Sequence, residues 1–226
     1  MSPAPMIFSK ETFQFFKDLG KHNKKTWMDE NRDRYKETVT KPFRILLEEL
    51  SPALLKIDPN LDVMAKGGGN FSRINRDIRF TKDKTLYHTH MYLKVCVPLP
   101  GEMESGELYV GVAADSVTAG FRIYAMPKRK LSPIALVAEP KLAANPRILA
   151  QCKKRLCRKY DSYWYSTVKG QWTKNNGWPT LETWPQLQGW IVRKKSSPAT
   201  ATRASFTSDV SKVFRDVYPL MKFTSL

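Results

Sequence analysis

The first third of the chain repeats its apolar residues at helical spacing. Phe13, Phe16 and Leu19 share one face, Ser9 stands at the N-cap position, and Phe8 with Phe13 makes a hydrophobic staple across it. Gly20 then suits a helix stop. Asn23 is placed to cap a second segment, along which Trp27, Tyr35, Val39, Phe43, Leu46, Leu50 and Leu54 recur at steps of three, four, seven and eight. Pro42 starts a new helix or kinks the old one, and Pro59 lies past the end. The pattern predicts helices over 10–19 and 24–56.

The middle of the chain changes to a period of two. Met91, Leu93, Val95 and Val97 alternate with Tyr92, Lys94 and Cys96. Leu108, Val110 and Val112 alternate again, as do Phe121, Ile123 and Ala125. These are half-buried strands, expected near 91–98, 107–113 and 118–126. The loop 99–107, with Pro100, Gly101 and Gly106, and the short Asp115–Ser116 turn suit an antiparallel meander. An earlier strand is expected through Phe71, Arg73 and Asn75, after the Gly67–Gly69 loop.

Past Pro127 the helical spacing returns. Ser132–Pro133 and Asn145–Pro146 both read as cap-plus-first-turn starts. Ile148, Leu149, Cys152 and Leu156 face inward on a helix over 146–159, with Arg147, Lys153, Lys154, Arg155 and Arg158 outward. Residues 160–190 show neither period. Ser196–Thr202 reads as a small-residue loop, and Val210, Val213, Phe214 and Val217 mark a last helix over 207–222. The expected fold is α+β: an antiparallel sheet of about four to five strands flanked by N-terminal and C-terminal helices, in a single domain over 1–226.

Composition narrows the class. At 226 residues, 42% hydrophobic and 26% charged, the chain excludes disorder and a collagen-like repeat. No apolar run reaches the length of a membrane helix, and residues 1–8 lack the pattern of a secretory signal. Three cysteines do not make a disulfide framework. A cytoplasmic location is the expectation, and no membrane contact. The charge is less ordinary, +17 overall. Residues 1–126 hold 19 Lys and Arg against 16 Asp and Glu, whereas residues 127–226 hold 19 against 5. Such a field attracts polyanions, nucleic acid among them, and equally serves solubility.

The densest chemistry runs from Arg73 to His90. Arg73, Arg76 and Arg79 are permanent cations whose planar forks suit phosphate or carboxylate, and Lys82 and Lys84 add charge beside them. Asp77 and Asp83 either hold these arginines in place or act as acids or bases. Two readings stay open: an anion site for phosphate built on Arg73, Arg76, Arg79 and Lys84, or an Arg–Asp lattice that pins a long loop to the sheet. His88 and His90 share a face if the chain is extended there. A metal would need a third ligand that no spacing supplies, so none is expected. His90 as acid–base, assisted by Tyr87 as a positioning hydroxyl, is the better catalytic reading, with Asp77 the other candidate.

Arg73, Arg76, Asp77, Arg79, Phe80, Asp83, Lys84 and Tyr87 together match the pattern Arg-x-x-Arg-Asp-x-Arg-Phe followed by Asp/Asn-Lys and Tyr. In this the chain resembles a bacterial family known as domain of unknown function 2461. His90 sits in that family's usual Thr-His ending, while His88 stands where the resemblance implies a basic residue such as Lys. The Phe13–Leu19 opening, the Asn23 to Trp27 step, Tyr35, Pro42 and the closing Pro219–Leu220 extend the similarity over most of the chain. The resemblance implies no activity, substrate or cofactor.

The remaining features are weaker. Cys152 and Cys157, five apart, suit neither a zinc site nor a redox pair and read as packing. The Gly67–Gly69 run lacks the residues of a phosphate-cradling loop. Trp164, Trp172, Trp178, Trp184 and Trp190, interleaved with Lys169 and Lys174, suit a core, with Trp172 or Trp178 reaching solvent as base-stacking platforms. The leading expectation is a protein that binds a phosphate-bearing ligand, nucleotide or nucleic acid, at the arginine motif. A scaffold module with a structural motif and a phosphoester hydrolase are the alternatives.

Overall fold

Helix α1 (Lys10–Lys21) begins where the staple places it, and Phe8, Phe13, Phe15, Phe16 and Leu19 are all buried. The N–H of Ser9 donates to Thr12 Oγ1 at 3.4 Å. Gly20 does not stop the helix; the last bond is from His22 N–H to the Asp18 carbonyl at 2.9 Å. The computed structural model describes residues 6–65, 69–98, 106–124, 133–168 and 171–225. Gly67, Gly68, the loop at 99–105, Ala125, Ser132 and Lys169 lie outside the described residues.

The second apolar stripe folds as four pieces of helix: α2 (Lys25–Glu30), α3 (Arg32–Tyr35), a π-helical turn (Lys36–Thr40) and α4 (Lys41–Ile57). Asn31 marks the first break. Pro42 accounts for the irregular turn, because it has no N–H to give the Thr38 carbonyl four residues back. The Thr12 hydroxyl donates to that carbonyl instead, at 2.7 Å. Thr12 is fully buried, so a polar side chain inside α1 is explained by a backbone defect elsewhere.

The meander appears as β1 (His90–Val95), β2 (Glu107–Ala113) and β3 (Val117–Tyr124). Met91, Leu93 and Val95 are buried and the residues between them half-buried, as the alternation predicts. The expected strand through Phe71, Arg73 and Asn75 is reduced to two isolated bridges, Phe71 to Leu93 and Asn75 to Tyr87. After α5 (Pro133–Ala144) and α6 (Ile148–Leu156) the unassigned segment turns out to be sheet. It holds β4 (Asp161–Val168), β5 (Gln171–Asn176) and β6 (Leu187–Ser196). The sheet therefore has six strands, in the order β1-β2-β3-β6-β4-β5, and β4 runs antiparallel to both its neighbours. Pro198 starts one helical turn, α7 (Pro198–Ala201), where a loop was expected, and α8 (Phe206–Thr224) ends the chain.

The chain groups into two compact units: Met1–Val95 with Val110–Thr118 and Lys195–Ser211, and Cys96–Tyr109 with Ala119–Lys194 and Lys212–Leu226. In the first, the Phe8 ring meets Phe43 and Phe206 edge-on at 5.2 and 5.8 Å. In the second, Trp190 is fully buried, its Nε1–H donates to Ser162 Oγ at 3.0 Å, and Phe121, Trp178 and Trp184 surround it. Of the five tryptophans expected to form a core, Trp184 and Trp190 are buried and Trp164 is half-buried. Trp172 and Trp178 are half-buried rather than exposed. Cys157 departs from the packing expectation by being exposed, whereas Cys152 is half-buried.

Candidate functional site

The arginine motif is the tip of an irregular antiparallel arm. After α4 the chain returns alongside β1: Ser72 N–H donates to the Tyr92 carbonyl at 2.9 Å and Lys94 N–H to the Asn70 carbonyl at 2.8 Å. Further out, Arg76 N–H bonds to the Leu86 carbonyl and His88 N–H to the Ile74 carbonyl, at 2.9 and 2.8 Å. Buried Phe71, Ile74 and Tyr87 root the arm, leaving residues 77–85 beyond the last paired backbone. Asn23 clasps it from the helical side. Its Nδ2–H donates to the Tyr87 carbonyl and its Oδ1 accepts from the Tyr87 N–H, both at 2.9 Å. The capping role expected of Asn23 passes to Lys24, because the Asn23 amide is already occupied as a strand surrogate.

The tip is held by its own charges. Arg76 Nη1 donates to Asp83 Oδ2 at 2.5 Å and to the Thr85 hydroxyl. Asp83 Oδ1 accepts in addition from the Thr85 N–H at 3.0 Å and its hydroxyl at 2.9 Å. Arg79 forks onto Asp77, with Nε at 3.0 Å and Nη2 at 2.8 Å. Lys84 Nζ donates to the Ile78 carbonyl at 2.9 Å. The electrostatic result is a pair of carboxylates kept firmly ionised. The Thr85 N–H, then Arg76 and the Thr85 hydroxyl, pull Asp83 down to about 2. Arg79 lowers Asp77 through its side-chain and backbone donors.

Not every predicted residue joins this network. Arg73 is exposed and forms no ion pair among the described residues. Tyr87 is buried, and its backbone is what Asn23 holds. His88 and His90 do share a face: their rings lie 5.1 Å apart, and the His90 ring is 4.9 Å from Tyr92. Burial, then the Arg76 charge, lowers the pKa of His88. Among the described residues no group of three His, Cys, Asp or Glu is placed to hold a metal ion.

Phe80 was not legible as a functional residue from its spacing. It stands 92% exposed at the tip, with the Arg79 guanidinium 5.5 Å from its ring centroid. The available signal was context: a phenylalanine set directly between Arg79 and Thr81, with Lys82, Asp83 and Lys84 following, sits in a polar run. Asn23 carried no such signal, since its partner lies 64 residues away.

A family model described as "Conserved hypothetical protein (DUF2461)" matches residues 11–223, which among the described residues takes in the arm, the strands and all of the helices but Lys10 and Thr224 at their outer ends. The chain belongs to this family. No curated protein matches it. The match spans most of the chain. It assigns no reaction to the hairpin tip, so the function is argued from the geometry. No described helix is long and apolar enough to cross a membrane.

Proposed function

We propose that the hairpin tip binds a phosphate-bearing ligand that also carries a base: a nucleotide or a nucleic acid, met in the cytoplasm. Arg73, Arg79 and Lys82 face the phosphate and Phe80 stacks on the base, while Arg76, Asp83, Thr85 and Lys84 hold the loop. One observation carries the reading: Phe80 stands exposed beside Arg79 on a loop that its own hydrogen bonds already shape. A preformed loop loses little entropy on binding. An aromatic face beside a guanidinium offers stacking and charge together, and stacking on such a platform is worth about 1–3 kcal/mol per base.

The test is a titration of fluorescent single-stranded RNA or a labelled nucleotide against the parent, Phe80→Ala and Arg79→Ala. Phe80→Ala should weaken binding roughly 5- to 150-fold without lowering the melting temperature. The scaffold reading draws on a specific observation as well: both aspartates of the motif are already taken by its arginines. Equal affinity of parent and Phe80→Ala would decide for the scaffold. Hydrolysis has less support. Asp77 and Asp83 are held as carboxylates, so neither can serve as the general acid at neutral pH, and Tyr87 is buried.

A further inference from the structure

Between residues 146 and 160 the chain has six cations, Arg147, Lys153, Lys154, Arg155, Arg158 and Lys159, and no Asp or Glu. All six side chains are exposed around α6, whose Leu149 and Leu156 are buried. Arg155 Nη2 donates to the Asp216 carbonyl at 3.3 Å, which brings that stretch of α8, with its exposed Lys212 and Arg215, against α6. The carboxylate of Asp216 is itself engaged, by the Tyr160 hydroxyl at 2.8 Å and Lys159 Nζ at 3.9 Å. Like charges crowded this way repel one another unless an anion sits across them.

We infer that this α6–α8 face binds the phosphate backbone of double-stranded nucleic acid. The inference does not rest on the hairpin reading, since it uses other residues in the other compact unit. The chemistry favours a duplex. The exposed residues from 147 to 159 include no aromatic ring on which a splayed base could stack, so the face offers contacts to phosphates alone. They also include no leucine, phenylalanine or tryptophan to enter a bilayer, which argues against a lipid surface.

Fluorescence anisotropy with two short DNA duplexes of unrelated sequence, run as a salt series, tests the inference. Six neutralised phosphates give a slope of log affinity on log salt of roughly −5. The double variant Lys154→Glu, Arg158→Glu should bind both duplexes more weakly by the same factor, with a slope shallower by about 2. Among the described residues neither side chain makes a hydrogen bond or ion pair, so the melting temperature should hold. Phe80→Ala should bind duplex like the parent, which separates this face from the hairpin tip. Three results would each overturn the inference: no duplex binding at about 50 mM salt, undiminished duplex binding by the double variant, or tighter binding of Phe80→Ala, whose tip lacks its stacking ring, to single strands or phosphatidylserine vesicles than to duplex.

Discussion

Asp83 accepts from three donors, two on Thr85 and one on Arg76, and its pKa sits near 2, below the ordinary aspartate value of about 3.9. Because the folded value is depressed, its contribution to the tip is complete above about pH 4 and fades as the pH falls through about 2. An NMR titration of the Asp83 carboxyl carbon should find its midpoint near 2; a midpoint near 4 would mean that the tip bonds do not persist in solution. His88 offers a linked readout. Arg76→Ala removes the cation that helps to depress it, so its ring should titrate at higher pH than in the parent. The variant should still fold with nearly the parent's melting temperature. Asp83 is 58% exposed, and water can solvate it once Arg76 is gone.

Among the secondary-structure elements, close approach rather than periodicity fixes the sheet. A Cβ on Gly120 of β3 would collide with the Val192 carbonyl and lie 2.7 Å from the Arg193 Cα, both backbone atoms of β6. On Gly111 of β2 it would instead meet the Tyr92 ring, 2.5 Å from Cε1. Backbone cannot yield and a ring can swing aside. Gly120→Ala should therefore cost about 3 kcal/mol in urea unfolding and Gly111→Ala clearly less; equal losses would refute the tight β3–β6 approach. The same contrast explains what the sequence disclosed. β1 and β3 have one buried and one wetter face, so they alternate visibly, whereas β2 is buried on both faces from Leu108 to Val112 and shows its period only through Leu108, Val110 and Val112. In β4 the residues on one face are Ser162, Trp164 and Ser166 and on the other Tyr163 and Tyr165, so both read as mixed. β5 is a polar edge strand with almost no apolar signal. The strand expected through Phe71, Arg73 and Asn75 falls short because single bridges, not a ladder, hold that arm.

For the whole molecule the uneven charge is the feature the sequence stated most plainly, and it has two consequences of opposite sign. Self-repulsion of +17 destabilises the compact state, so salt should raise the melting temperature between about 10 and 500 mM, where the screening length falls from about 30 Å to a few Å. Binding of any polyanion should fall over the same range. A flat melting profile would mean that the cations are spread too widely to repel. The candidate site was legible only in part. Its residues stood out as a motif, but whether the arginines meet a ligand or their own aspartates depends on a turn geometry that residue spacing does not encode. The Asn23 clasp also depends on its amide staying an amide. Spontaneous deamidation turns the Asn23 amide into a carboxylate, which has no proton to give the Tyr87 carbonyl and sets a negative oxygen against it. A loss of one nitrogen among the 226 residues would thus leave the arm held by the Tyr87 N–H bond alone, with every charge of its tip in place.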